Sequence, residues 1–457
     1  MSASCVCVSP RSCSRSRSKH LPGLNFTFKH LRKSYISGCT KEIITYCRQF
    51  FYSFLDAQII RRKKGKGLKS LSDEIFNLIE DCDLKTPKVA GLAGISSRTM
   101  YDLKDSDTIG FISMLKIAQV CKGSDYHTVM RKWCLKLFTT EALKHAFEYA
   151  AIKRDVDLLE ELLCKTKNDD YLTAYHDVYK LIYDFMRGKI RFFDLYEKLK
   201  DIRITDKSLA IIVDIYKCYM LYYKKDFLGI LTRAEKIEKA IQKLGDGRRA
   251  FFKQCYVYRL AEVMMPVHLH FSNFEASRHF SEILVHSNIS PKALSDGYYG
   301  LGMSYLLSNK SLCLKYLERS YKMMCKIERA DLIAETKMNL KLAKLYYDVR
   351  DGMPIPELKN YLMNMTLREE ADFIKYFGFV SKNDLSSIYE GISYFFSKKN
   401  FLFAYLIADD LARFGVDSEQ VEALKSIKLI EKVEIGFEKE VVSCFSHWDR
   451  IGISRVS

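Results

Sequence analysis

The sequence carries no GxxxxGK[ST] phosphate loop, no HExxH, no GxSxG and no kinase signature. Each pattern holds reactive groups at a spacing its chemistry requires, so no catalytic residue is assigned and an enzyme is not expected. No CxxC pair occurs among the 14 cysteines, and Cys5 and Cys7, the nearest pair, lie in a Ser/Arg-rich tail. Cys164, Cys218, Cys255 and Cys313 stand singly inside helix-like segments. They read as reduced, small apolar core residues of a cytoplasmic protein. Proline is scarce, seven in 457 residues, which favours long uninterrupted helices. No segment reads as a strand. No compact apolar stretch with a small-residue cleavage site is found, so secretion is not expected. The apolar segment Glu42–Ile60 is interrupted by Arg48 and Asp56 and reads as an amphipathic helix, not a membrane span.

Acid is absent from residues 1–36, which are rich in Ser, Arg and Cys. Residues 1–66 hold 14 Lys/Arg against 2 Asp/Glu, a net of +12, while the remainder holds 59 against 54, a net of +5. The overall charge of +17 therefore belongs mostly to the first 66 residues. Such a composition suits a transit peptide or a disordered basic arm. Arg61–Lys66 reads as a basic linker able to add phosphate contacts. A start codon further downstream is an equal alternative. Residues 1–65 are accordingly set apart as a basic extension.

The clearest pattern is Thr86–Leu103, TPKVAGLAGISSRTMYDL. Val89, Ala93, Ile95, Met100 and Leu103 are apolar at spacings that point inward from two short helices. Ala90 is small where the second helix crosses the first, and Gly94 falls where the turn needs φ > 0. Thr86-Pro87 supplies an N-cap and a proline at the first helical position. Ser96 or Ser97 caps the second helix. This is the spacing of a repressor-type helix-turn-helix, whose second helix enters the major groove of double-stranded DNA. An ordinary helical hairpin is the plain alternative. Lys88, Ser96, Ser97, Arg98, Tyr101 and Lys104 are the candidate DNA contacts. With Leu71, Ile75, Leu78 and Ile79 before it and Phe111–Ala118 after it, the pattern defines a helical domain over residues 66–123.

From Ser124 onward, apolar stripes at helical spacing follow one another with short breaks, the layout of a helical-repeat superhelix over residues 124–416. Two windows approach the tetratricopeptide pattern of about 34 residues. One pairs Tyr298, Leu301, Gly302 and Tyr305 with Cys313, Leu317 and Ser320; the other pairs Gly391 and Tyr394 with Ala404, Ala408 and Leu411. The fold class is therefore all-α, an N-terminal helix-turn-helix domain followed by a tetratricopeptide-like superhelix.

Such arrays bind peptides or helices in a concave groove. Gln254, Tyr258, Arg259 and Glu262, followed by Tyr298, Tyr305 and Asn339, are the candidate peptide contacts. Tyr258 and Glu262 are four apart and share a face. Arg259 and Glu262 could instead bridge each other, and the two later tyrosines could be repeat core. His268 and His270 have no Cys or carboxylate pair at ligand spacing, so no metal and no cofactor is expected. Glu160 and Glu161 are adjacent on a helix and read as a solvated face, not a carboxylate pair.

Three segments, Lys88–Leu103, Val129–Leu163 and Tyr299–Asn309, resemble the arbitrium receptors, the AimR family of peptide-pheromone regulators. The resemblance runs from about Leu68 to the C-terminus. It implies a homodimeric transcription regulator that controls the phage lysis–lysogeny decision. In that family the peptide-free dimer binds a promoter and activates a gene opposing lysogeny, and a short imported peptide in the groove ends productive binding. The dimer contacts would fall in residues 417–457. Another quorum-sensing regulator, a protein-interaction scaffold and a phosphatase-like effector are the alternatives.

Overall fold

The computed structural model describes residues 70–327, 329–363 and 371–427. The expected basic extension, the Glu42–Ile60 helix and most of the expected dimer region fall outside them. The described residues belong to one compact unit, Lys69–Ser457, and every regular element among them is helical.

The described residues open with α1 (Leu71–Asp81), α2 (Thr86–Ala93), α3 (Ser97–Ser106), α4 (Phe111–Lys122) and α5 (Tyr126–Lys136). A reciprocal capping box starts α1: the Asp73 amide donates to Ser70 Oγ at 3.0 Å, and the Ser70 amide to Asp73 Oδ2 at 2.9 Å. Leu71, Ile75 and Ile79 are buried, with Leu78 packed partly buried beside them. Gly94 ends α2 at φ 61°, and the Ile95 amide donates back to Ala90 O at 2.9 Å. Ser96, not Ser97, caps α3, accepting from the Thr99 amide at 3.1 Å. Val89, Ala90, Ala93, Met100 and Leu103 are buried and Ile95 is half-buried. One detail differs from the sequence reading. The N-cap of α2 is Lys85, whose carbonyl accepts from both Lys88 and Val89, so Thr86 already lies inside the helix. Proline's fixed φ suits either early position.

The array continues with α6 (Thr140–Lys153), α7 (Val156–Thr166), α8 (Thr173–Met186), α9 (Phe192–Lys200), α10 (Lys207–Tyr223) and α11 (Phe227–Gln242). Then come α12 (Ala250–His270), α13 (Phe274–Ser287), α14 (Pro291–Ser304), α15 (Lys310–Met324) and α16 (Ala330–Arg350). α17 (Ile355–Met363), α18 (Asp372–Val380), α19 (Leu385–Ser397), α20 (Phe401–Ala408) and α21 (Ser418–Lys425) complete the described helices. From α12 to α16 each helix packs on the next in chain order. At Gly302 an added Cβ would stand 2.8 Å from Leu317 Cγ and 3.1 Å from the Cys313 carbonyl, so α14 and α15 cross where only hydrogen fits. The first window thus meets its own second helix at the expected residues. Pro291 is the first residue of α14, capped by Ser290. α20 passes into a 3₁₀ turn over Asp409–Phe414.

α12 is buried along nearly its whole length and runs through the middle of the array. Around it, Phe111 of α4 packs on His145 and Tyr149 of α6 and on Phe251, with centroids 5.6, 5.7 and 4.8 Å apart. That aromatic cluster seats α4 against the repeats.

Candidate functional site

The six candidate DNA contacts are all exposed: Lys88 on α2, Ser96 in the turn, and Ser97, Arg98, Tyr101 and Lys104 on α3. Tyr101 is 70% exposed, a large ring left open to solvent. Arg98 Nε lies 3.9 Å from Asp102, with side chains 88% and 65% exposed, too open for the pair to hold either firmly. Ser96 is committed to its cap, which makes it a positioner of α3. Asp102 and Asp105 are exposed on the same helix.

The second site forms where α12 meets α6 and α14. A small pocket is lined by Ala151, Ile152 and Arg154, by Tyr258, Arg259 and Glu262, and by Ile289 and Ala293. Its free volume of about 10 Å³ holds about one water. Tyr258 and Glu262 share this lining, as their spacing predicts. Glu262 accepts from the Tyr219 hydroxyl at 2.7 Å and has Arg154 Nη2 at 4.0 Å. Burial works to raise its pKa, but Lys292 and Arg154 outweigh burial and hold it below the usual carboxylate range. Asp296, paired with Lys292, is raised by its burial.

Arg259 is not the open cation that the sequence suggests, nor does it bridge Glu262. Its Nε donates to Glu148 Oε1 at 2.8 Å and its Nη2 to Oε2 at 3.3 Å, while Nη1 lies 3.4 Å from the Tyr216 hydroxyl. The Tyr179 hydroxyl completes the set, donating to Glu148 Oε2 at 2.6 Å. Burial opposes the charge on Arg259, yet Glu148 holds it firmly protonated; burial and Glu148 together push Tyr179 well above its ordinary value. An external carboxylate at Arg259 would have to displace Glu148. The residues missed are Glu148, Arg154, Tyr219 and Lys292. Glu148 left a signal, a lone acid inside the apolar run Ala146–Ile152.

The other candidates fall elsewhere. Gln254 is half-buried one turn before Tyr258 and does not line the pocket. Tyr298 and Tyr305 are half-buried and stack on Tyr316 at 6.3 and 6.1 Å, with Arg278 4.3 Å from the Tyr305 centroid. They form a separate cation–aromatic stack. Asn339 is half-buried on α16, also apart from the pocket. His268 is fully buried against Phe280, and His270 stacks on Phe227 at 4.5 Å. No group of three potential metal ligands occurs among the described residues. Glu160 faces solvent and meets Arg187 at 3.3 Å. Cys218, Cys255 and Cys313 are buried, but Cys164 is exposed, on the outer side of α7. No described helix is long and apolar enough to cross a membrane.

A repressor-type helical hairpin joined to stacked helix pairs around a buried charged pocket defines an all-α helical-repeat protein. Residues 126–361, just over half of the chain, match the family described as AimR transcriptional regulator-like, and the chain belongs to that family. The matched span begins at α5, so the helix-turn-helix lies outside it. The fold is similar to that of selenomethionine-labelled phAimR, at a TM-score of 0.58 and 16% identity, covering 78% of this chain and 100% of that one. It is also similar to phAimR solved with a ligand, at a TM-score of 0.53 and 16% identity, covering 68% and 98%. No curated protein matches the sequence.

Proposed function

We propose that this chain is a cytoplasmic, peptide-responsive, DNA-binding transcription regulator of the phage lysis–lysogeny decision. The observation that carries the reading is the presence in one chain of an AimR-family repeat array and an exposed helix-turn-helix face. Residues 66–123 bind an operator, residues 124–416 bind a short signalling peptide, and residues 417–457 complete a homodimer. A two-fold dimer sets its recognition helices about 34–36 Å apart or a multiple of that, so the operator carries matching half-sites. The peptide enters over Glu262, whose charge suits a cationic side chain. Since the pocket holds about one water as it stands, binding has to open it. That requirement supplies the difference in affinity between two states without which a ligand shifts nothing.

Selection of bound duplexes from a random pool, repeated with synthetic peptides encoded beside the gene, tests the reading. The expected result is a two-fold symmetric site that one arginine-containing peptide releases. Glu262→Gln should weaken that peptide, read by calorimetry against the parent chain. A chain that retains no duplex would instead be a protein-interaction scaffold.

A further inference from the structure

Helix α6 ends at Arg154, which has φ 57°, a left-handed backbone that a long side chain adopts only at a cost. Lys225 and Lys399 share that backbone, so strain alone does not single Arg154 out. Its neighbours do. The turn Lys153–Arg154–Asp155 is gripped from three directions by three consecutive side chains. Lys153 donates to the Ile289 carbonyl, at the pocket wall, and lies 4.8 Å from the Tyr126 ring centroid. Arg154 faces Glu262. Asp155 points the other way, toward α5. Its Oδ2 accepts from His127 Nε2 at 2.9 Å and from Arg131 Nε at 3.0 Å, while Oδ1 caps α7 by accepting from the Leu158 amide at 3.0 Å. The Asp155 side chain is 7% exposed, so these bonds are shielded from solvent competition. His127 Nδ1 is left to accept from Tyr149, 2.8 Å away.

α5 is in turn fixed to the helices before it. It packs on α4, and Lys136 pairs with Glu74 of α1 at 2.9 Å. Two adjacent residues therefore join the charge at the pocket floor to the helix that carries the N-terminal helices.

We propose that the Lys153–Asp155 turn is a positioning element that passes the state of Glu262 to α5, Arg154 sensing the carboxylate and Asp155 holding His127 and Arg131. Its biological use rests on the peptide-receptor reading: a ligand cation that takes Glu262 frees Arg154 and slackens the hold on α5.

Hydrogen exchange of the full chain without ligand tests the relay separately from that reading. In Glu262→Gln the α5 amides should exchange about two- to fivefold faster than in the parent, the range a partly exposed ion pair supports. Asn still caps α7 in Asp155→Asn. That substitution alone should speed α5, and adding Glu262→Gln to it should bring no further change, because the second break lies on the same path. Tyr219→Phe, which removes another partner of Glu262 and leaves Arg154 in place, should leave α5 at the parent rate. Unchanged α5 exchange in Glu262→Gln, or equal acceleration in Tyr219→Phe, overturns the relay whether or not the protein binds peptide or DNA.

Discussion

His268 is held in an apolar site against Phe280, and burial pushes its pKa down to about 4. Burial, with Lys225, does the same to His270. An unfolded histidine titrates near 6.5, so between the two values the unfolded chain binds a proton that the folded chain refuses. Stability is complete above about pH 6.5 and falls as the pH drops toward 4. For His268 the loss between about pH 7 and about pH 5 is on the order of 2 kcal/mol. His268→Phe should reduce the slope by that amount, with His270 retaining its own share, read as the difference between urea midpoints at the two pH values. A slope equal to the parent's would place the titrating group elsewhere. At the other end of the chain Arg98 is open to solvent and to a base edge. Its replacement by alanine should cost about 1–3 kcal/mol of operator affinity and relax specificity at one position. Binding isotherms on matched and mismatched duplexes give both quantities, and equal values in the two proteins would remove Arg98 from the interface.

Helices were the legible part of this sequence because each buries one stripe, and a stripe is a local pattern. Val89, Met100 and Leu103 sit where their spacing puts them. Caps were less legible: Thr86 and Lys85 compete for one position, and backbone carbonyls decide it. The pocket was legible only on α12. Glu148 and Arg259 stand 111 residues apart, and no periodicity links positions on separate helices that far away. Two glycines separate backbone from packing at this scale. At Gly94 an added Cβ would meet only Lys116 Nζ, at an ordinary 3.9 Å, but the φ is 61°, so Gly94→Ala should cost about 1–2 kcal/mol through the backbone. Gly302 has no such backbone demand but meets Leu317, so Gly302→Ala should cost about 1–3 kcal/mol through overpacking. Gly302→Ala and Leu317→Ala together should cost less in urea unfolding than the sum of their separate losses, while the losses from Gly94→Ala and Leu317→Ala should add.

Over the whole molecule, charge is divided unevenly, +12 in residues 1–66 against +5 in the rest. The basic segment can add phosphate contacts that position but do not specify. A chain shortened to begin at Lys66 should fold, dimerise and select the same operator, with a shallower dependence of affinity on salt. Loss of folding would make the basic segment part of the domain. The pairing of Glu148 with Arg259 has a consequence of another kind, in time. Glu148 is fully buried and its cation lies 111 residues later in the chain. At about 5–20 residues per second, a growing chain holds that carboxylate without its cationic partner for about 6–22 s. During that interval α6 cannot settle against its neighbours without stranding a charge. The first half of the array is therefore expected to stay open until α12 is made, and a chain ending before Arg259 should exchange its α6 amides faster than the full chain does.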